Sequence, residues 1–231
     1  MSPFAGEASE RVLPLGIPAI DALLPLQGLP FGGVTELQVR GSSGTATSFA
    51  LCACRAAQQS GAASPWCAFI DPAATLYAPG VARVGVDLDH LLVVRPELEA
   101  VGRAALRIVE ANLASVLVID LTGTTQPINE HIWERNVRRL ALAAKSTATS
   151  ILLLTRSEQF QTLPLPAFMR LEFTRRSTES FELRVGKERC GRISSARSFP
   201  CSIFDPAAAR VASLAAPAMA ASSLTAVRRV S

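Results

Sequence analysis

Short apolar runs, nearly uninterrupted by polar residues, recur along the first two thirds of the chain. They occupy residues 34–39, 66–70, 91–94, 116–119 and 150–154. Runs of this length and composition are typical of strands that are buried on both faces of a mainly parallel sheet. The pattern therefore predicts five strands in the core of an α/β fold.

Helical periodicity fills the intervals between these runs. The segment 48–60 is rich in alanine and ends before Gly61. In segments 97–113 and 128–145, apolar residues recur at the spacing of one helix face. The side chains expected on the buried faces are Val101, Ala105, Ile108 and Leu113 in the first of these segments, and Ile132, Val137, Leu140 and Ala144 in the second. Alternating strands and helices predict βα units around a parallel sheet.

Beyond residue 154 the pattern changes to alternation of apolar and polar residues. Segments 168–175 and 180–186 alternate in the way typical of antiparallel strands with one face in water, with Thr178 and Glu179 at the turn. The predicted fold class is α/β, with a mainly parallel central sheet flanked by helices and with antiparallel C-terminal strands. We predict one core domain at residues 1–205, including a short lead at 1–12, and an alanine-rich tail at 206–231.

The tail is predicted to be a partner-binding element that becomes helical on contact. Its alanines favour a helix, but Pro217 interrupts it and the remaining half is too short to be stable alone. A narrow apolar strip beside two arginines is a candidate for docking in a partner's groove. The strip consists of Met219, Leu224, Val227 and Val230, and the two arginines are Arg228 and Arg229. The alternative is a disordered tail rich in alanine and serine.

Basic residues are concentrated in the last third of the chain. The 231 residues carry a net charge of +4, and segment 170–197 has eight basic and four acidic residues, a difference of +4. Basic side chains on alternating strands can line one face and contact phosphates, which makes DNA a candidate partner. The candidate DNA-binding residues are Arg175, Arg176, Arg184, Lys187 and Arg189. The interspersed glutamates favour the alternative, a solvated strand face.

Cysteine spacing and hydropathy exclude several classes of protein. Five cysteines without a C-x-x-C pair, together with two histidines, predict buried reduced thiols and no metal site. The first ten residues carry two acids and no basic residue, unlike a signal peptide. Residues 211–227 are too weakly apolar to span a membrane. These features predict a cytoplasmic protein without a membrane partner.

Several segments resemble the core of RecA proteins, in the same order along the chain. The most specific is Val84-Gly-Val-Asp-Leu-Asp-His-Leu-Leu92, and Val116-Leu-Val-Ile-Asp120 is similar to the Walker B strand of that family. Residues 16–37, 67–71, 168–176 and 187–199 add further ordered matches. The resemblance covers about residues 13–204 and implies a RecA-like fold.

The nucleotide loop departs from the pattern of this family. A P-loop aims backbone N–H groups at phosphates, neutralises their charge with a lysine and holds Mg²⁺ with a Ser or Thr hydroxyl. In Val39-Arg-Gly-Ser-Ser-Gly44-Thr45-Ala46, Val39 replaces the first glycine, Thr45 the lysine and Ala46 the magnesium-binding residue. The carboxylate that would polarise the attacking water falls at Ala73.

These losses predict a pseudo-ATPase without a bound cofactor. Removing one preorganised electrostatic group typically costs about 10²–10³ in rate, so several losses together leave no turnover. The vestigial nucleotide loop then consists of Gly41, Ser42, Ser43, Gly44, Thr45 and the more distant Asp120. Asp120 is either a remnant of the metal site or a structural hydrogen-bonding group, and both interpretations stay open.

The pattern of loss resembles ImuA, the small RecA-related component of bacterial mutasomes. About a dozen residues precede the core, where RecA proteins carry a helix and strand that pack on the neighbouring protomer. The segments that correspond to the two DNA-binding loops, 121–127 and 155–166, contain one basic residue between them.

The resemblance implies a non-catalytic adaptor in DNA damage tolerance, that is, in SOS mutagenesis and translesion synthesis. Its implied partners are RecA and an ImuB-like hub, and through that hub an error-prone polymerase subunit. It would associate with the nucleoid after damage. The alternatives are a recombination mediator that binds single-stranded DNA and a cell-division inhibitor of the SulA type.

Overall fold

The computed structural model describes residues 11–41, 44–61, 64–160, 165–188, 191 and 193–207. In chain order the elements are β1 (Val12–Leu13), α1 (Pro18–Asp21), β2 (Leu29–Pro30), β3 (Val34–Arg40), α2 (Gly44–Gln59), β4 (Cys67–Ile70), α3 (Ala78–Val84), β5 (Leu91–Val94), α4 (Val101–Glu110), β6 (Val116–Asp120), α5 (Glu130–Ala144), β7 (Ser150–Arg156), β8 (Met169–Arg175), β9 (Ser180–Glu188) and β10 (Arg197–Pro200). Short 3₁₀ turns cover Leu88–His90, Leu98–Ala100 and Cys201–Phe204. No helix in this part of the chain is long and apolar enough to cross a bilayer.

Eight of the described strands form one mixed sheet in the order β10-β9-β8-β3-β7-β6-β4-β5. The neighbouring strands β3, β7, β6, β4 and β5 are all parallel to one another. Strand β8 also runs parallel to β3. Among the described strands of this sheet, the β8–β9 and β9–β10 pairs are antiparallel. The predicted fold class is therefore confirmed. The sequence pattern did not reveal the parallel contact between β8 and β3 that joins the two halves.

Helices cover the two faces of the sheet with separate apolar cores. One core contains α2 and the inward residues of β8 and β9, including the edge-to-face pair Phe49 and Phe173 with ring centroids 5.4 Å apart. The other core lies under α4 and α5, where Val109 and Trp133 pack on the sheet. The nearly continuous apolar runs of the central strands follow from burial on both faces.

Three predicted positions differ from the structure. Leu113 is 51% exposed because α4 ends at Glu110, and the chain leaves the helix through a left-handed Asn112. Ile132 is 54% exposed because α5 begins at Glu130 and the larger Trp133 makes the contact with the sheet. The strand β5, predicted to be buried on both faces, is the edge of the sheet and is half-exposed.

A buried ion pair links the two halves of the sheet. Glu36, in the middle of β3, is fully buried. Its carboxylate accepts a hydrogen bond from Thr155 Oγ1 of β7 at 3.0 Å and one from Arg170 Nε of β8 at 2.7 Å. A buried carboxylate is costly to desolvate unless it is paired and hydrogen-bonded. The pair therefore ties β8 to the correct neighbour and register on β3.

We expect Arg170→Ala to lower the free energy of unfolding by about 3–5 kcal/mol, because it leaves Glu36 charged and unpaired in the interior. Urea unfolding at neutral pH measures the loss. Arg184→Ala is the matched control, since it breaks the more exposed Arg184–Glu172 pair between β9 and β8 and should cost below about 1 kcal/mol. Equal losses for the two variants would contradict the role assigned to Glu36.

Candidate functional site

The carboxyl ends of β3, β6 and β4 meet at one edge of the sheet because these strands are parallel. The turn that follows β3 leads into α2, the turn that follows β4 begins at Asp71, and β6 ends at Asp120. Ligands of open α/β sheets bind at such an edge. This is where the vestigial nucleotide loop predicted from the sequence lies.

The described residues at the β3–α2 junction present few polar groups. Gly41 is left-handed, with φ +81°, and Gly44 opens α2; Ser42 and Ser43 lie outside the described residues. Thr45 is 4% exposed, and its hydroxyl has no hydrogen-bond partner among the described residues. Ala46 is fully buried. Positions 45 and 46 therefore offer neither a cation for phosphates nor an exposed hydroxyl for a metal.

Asp120 is held by its own turn. Its Oδ1 accepts hydrogen bonds from the Thr122 backbone N–H at 2.8 Å and from the Thr122 hydroxyl at 2.6 Å. Burial raises the pKa of the Asp120 carboxyl above its ordinary value of 3.8, the two Thr122 hydrogen bonds oppose this, and the nearby Asp71 adds to it. The environment thus disfavours a charge on Asp120. The hydrogen bonds of its Oδ1 both come from Thr122, two residues further along the chain.

Asp71 organises the turn that carries Ala73. Its carboxylate accepts backbone N–H groups of Thr75 and Leu76 at 2.9 and 3.0 Å, and Arg95 lies 3.4 Å away. The turn packs closely on the loop after β6, because a Cβ added to Gly123 would come within 2.7 Å of the Ala73 side chain. A larger side chain at position 73 would require the two loops to separate.

Two polar residues that sequence reasoning missed connect this edge to β7. Arg156 Nη2 donates to the Thr124 carbonyl at 3.0 Å, and Gln159 Nε2 donates to the Leu121 carbonyl at 2.8 Å. They hold the segment predicted to correspond to the first DNA-binding loop against the start of the second. Their signal in the sequence was weak, namely two long polar side chains just after a buried strand. Residues 161–164 of the second segment lie outside the described residues.

Comparison with known proteins decides the family. The family model for the RecA N-terminal domain matches residues 6–152. The chain belongs to the RecA N-terminal domain family.

Curated RecA proteins align with part of this family member. The mitochondrial DNA repair protein recA homolog of Dictyostelium discoideum is 36% identical over 139 residues, which are 58% of this chain and 29% of the relative. Protein RecA of Amycolatopsis mediterranei is 35% identical over 144 residues, 61% of this chain and 39% of the relative. Protein RecA of Heliobacterium modesticaldum is 34% identical over 158 residues, which are 65% of this chain and 44% of the relative. The aligned region spans less than half of each relative.

In this RecA-family chain the described members of the basic set on the β8–β9 hairpin all have partners within the chain. Arg176 pairs with Glu182 at 2.7 Å, and Arg184 pairs with Glu172. The guanidinium of Arg175 donates to the carbonyls of Ser177 and Thr178, and Lys187 donates to the Leu165 carbonyl. Arg189 lies outside the described residues, as do Met219, Leu224, Val227, Arg228 and Arg229 of the tail. Their DNA-binding and partner-binding roles stay predictions.

The buried thiols are confirmed for three of the five cysteines. Cys52, Cys54 and Cys67 are free and buried, whereas Cys201 is half-buried and Cys190 lies outside the described residues. Burial raises the pKa of Cys52 to about 11, so its thiol stays protonated and unreactive at neutral pH.

We expect Asp120→Asn to stabilise the protein at neutral pH. The asparagine oxygen retains both Thr122 hydrogen bonds, while the cost of burying a charge disappears. Because the pKa of Asp120 is raised in the folded state, the wild-type protein loses stability as the pH rises from about 3.8 through that raised pKa. The variant has no carboxyl group to ionise. Its advantage in stability over the wild type should therefore be absent at acidic pH and complete above the raised pKa. Urea unfolding at several pH values measures it.

Asp87→Asn is the control for this measurement. Asp87 is exposed, and a hydrogen bond from His90 lowers its pKa, so its charge contributes stability above its ordinary pKa. This variant should lose a little stability at neutral pH. A loss of stability in Asp120→Asn as well would show that the ionised carboxylate of Asp120 is stabilising.

Proposed function

We propose that this protein is a non-catalytic RecA-like adaptor in bacterial DNA damage tolerance. In this role it binds RecA and an ImuB-type hub, and reaches an error-prone polymerase subunit through that hub. It acts in the cytoplasm, on the nucleoid after damage. The RecA family and a core whose nucleotide loop has lost its charged groups support the proposal. The observation that carries it is the open, apolar sheet edge at β5.

The strand β5 has no partner on its outer side among the described residues. The Asp71 N–H donates to the Val94 carbonyl at 2.9 Å, so Val94 turns its backbone groups toward β4. Backbone groups alternate in direction along a strand, and Val93 therefore turns its N–H and C=O outward. An extended segment of another protein can add to such an edge through main-chain hydrogen bonds.

Apolar side chains surround the same edge. Leu92 and Val93 are 40% and 39% exposed, and Trp66 and Leu113 are 44% and 51% exposed. A cavity of about 260 Å³ beside the strand is lined by Trp66, Cys67, Ala68, Leu92, Leu113 and Ala114. Strand addition derives its specificity from pockets of this kind for alternate side chains. The edge therefore suits a protein partner better than a phosphate backbone.

We predict that the protein does not turn over ATP. Thr45 and Ala46 are buried and uncharged, and Ala73 provides no carboxylate, so charge that develops on the phosphates has no stabilising group. Phosphate release should stay at background with and without single-stranded DNA. DNA-stimulated release that Asp120→Ala abolishes would overturn the pseudo-ATPase part of the proposal.

A further prediction concerns the docking of RecA on the edge strand β5. Val93→Pro removes the outward N–H while the β4–β5 hydrogen bonds remain, since proline is tolerated on edge strands. We expect binding to RecA, measured by biolayer interferometry, to weaken by about tenfold or more. Thermal unfolding would confirm that the variant is folded.

Val93→Thr is the matched control, because it keeps both the N–H and a β-branched side chain and should bind RecA normally. Unchanged RecA binding by Val93→Pro would mean that RecA does not dock on this edge. The same pair of variants assayed against an ImuB-type hub tells which of the two partners uses β5.

The alternatives remain separable from this proposal. A recombination mediator would bind single-stranded DNA with steep salt dependence, yet the described arginines of the hairpin are engaged with glutamates or carbonyls. A division inhibitor of the SulA type would bind the division machinery and not RecA. Neither is favoured by a specific observation in the described residues.

A further inference from the structure

The outer face of the α4–α5 layer carries arginines that the fold does not use. Arg103 and Arg107 lie on α4, and Arg135 and Arg139 lie on α5. All four are exposed, and none makes an ion pair or hydrogen bond with another described residue. On the hairpin, in contrast, the described basic side chains are paired. The face therefore carries more basic than acidic side chains, although Glu110 of α4 is exposed as well.

These arginines share one surface. Both helices pack on the same face of the sheet, and Gly102 of α4 lies so close to Asn136 of α5 that an added Cβ would come within 2.5 Å of its amide nitrogen. Residues four apart lie on one side of a helix, which aligns the two arginines within each helix. The glutamate of α5 that forms a salt bridge here, Glu134, is paired with Arg138 at 2.7 Å.

Two aliphatic side chains flank the arginines of α5. Ile132 is 54% exposed and Leu142 is 69% exposed, and both lie on the same outward side as Arg135 and Arg139. They are ten positions apart, which corresponds to about 15 Å along the helix axis. The result is a stripe in which a charged region of about two turns lies between two apolar contacts.

We propose that this α4–α5 face binds an acidic, amphipathic helical segment of a partner protein. Carboxylates of the partner would form charge-assisted pairs with the arginines, and its apolar residues, about 15 Å apart, would cover Ile132 and Leu142. A phosphate backbone satisfies the arginines but leaves both aliphatic side chains in water, so the aliphatic positions favour protein over nucleic acid. This surface lies on a different element from β5, and the inference stands independently of the proposed function.

The test uses the full chain and a synthetic helical peptide with glutamates between two leucines spaced about 15 Å apart. We expect amide chemical-shift changes in its presence to concentrate on α4 and α5. Arg135→Glu/Arg139→Glu should weaken binding by about tenfold or more, and Ile132→Ser/Leu142→Ser should also weaken it measurably. Arg11→Glu/Arg197→Glu reverses two exposed arginines outside α4 and α5 that form no ion pair with another described residue, and it should leave binding unchanged.

Three results would overturn the inference. A scrambled peptide of the same composition that binds equally well would show that the face recognises only the charge of the peptide and not the spacing of its leucines. Binding of an oligothymidine to the face with no effect of the aliphatic variants would assign it to nucleic acid. Binding to anionic vesicles, and not to the peptide, would assign it to a lipid surface. Arg135→Glu/Arg139→Glu lies on an exposed helix face, and its thermal unfolding would confirm that the fold is retained.

Discussion

The buried carboxylate of Glu36 is the constraint on which the architecture depends. It lies in β3, the strand that joins the parallel half of the sheet to the β8–β9 hairpin, and it is bonded to both neighbours through Thr155 and Arg170. An apolar residue at position 36 would permit β8 to shift its register along β3, or another strand to take its place. A buried charge does not, because any register that separates it from Arg170 leaves it unpaired in the interior.

That constraint also defines the candidate site. With β3 fixed, its carboxyl end places Gly41 on the same edge of the sheet as the ends of β6 and β4, where Asp120 and Asp71 lie. Both carboxylates accept hydrogen bonds from the turns that follow them, and the Thr45 hydroxyl is buried. The described polar groups at this edge of the sheet therefore stabilise the loops that follow the strands.

The two proposed interaction surfaces lie where the fold leaves polar groups without partners among the described residues. The hairpin arginines compensate neighbouring glutamates across the strands, which lowers the electrostatic potential available to a nucleic acid. Outward backbone groups of β5 and four arginines of α4 and α5 have no partner in the described part of the chain, and they lie on different parts of the molecule. An adaptor needs two such separate surfaces, since it has to hold two partners at once.

The sequence by itself determined the fold class and the five apolar strands of the parallel sheet. Apolar runs such as residues 116–119 and 150–154 have one low-energy placement, the centre of a sheet covered on both faces. Local composition does not say which apolar strand lies at the edge, and β5 was therefore expected to be buried. Nor does it say which charges find partners: the interspersed glutamates left two interpretations open, and only the register of β8 on β9 placed Arg184 beside Glu172. Pairing and exposure depend on contacts between residues far apart in the chain, so the tertiary structure alone decided them.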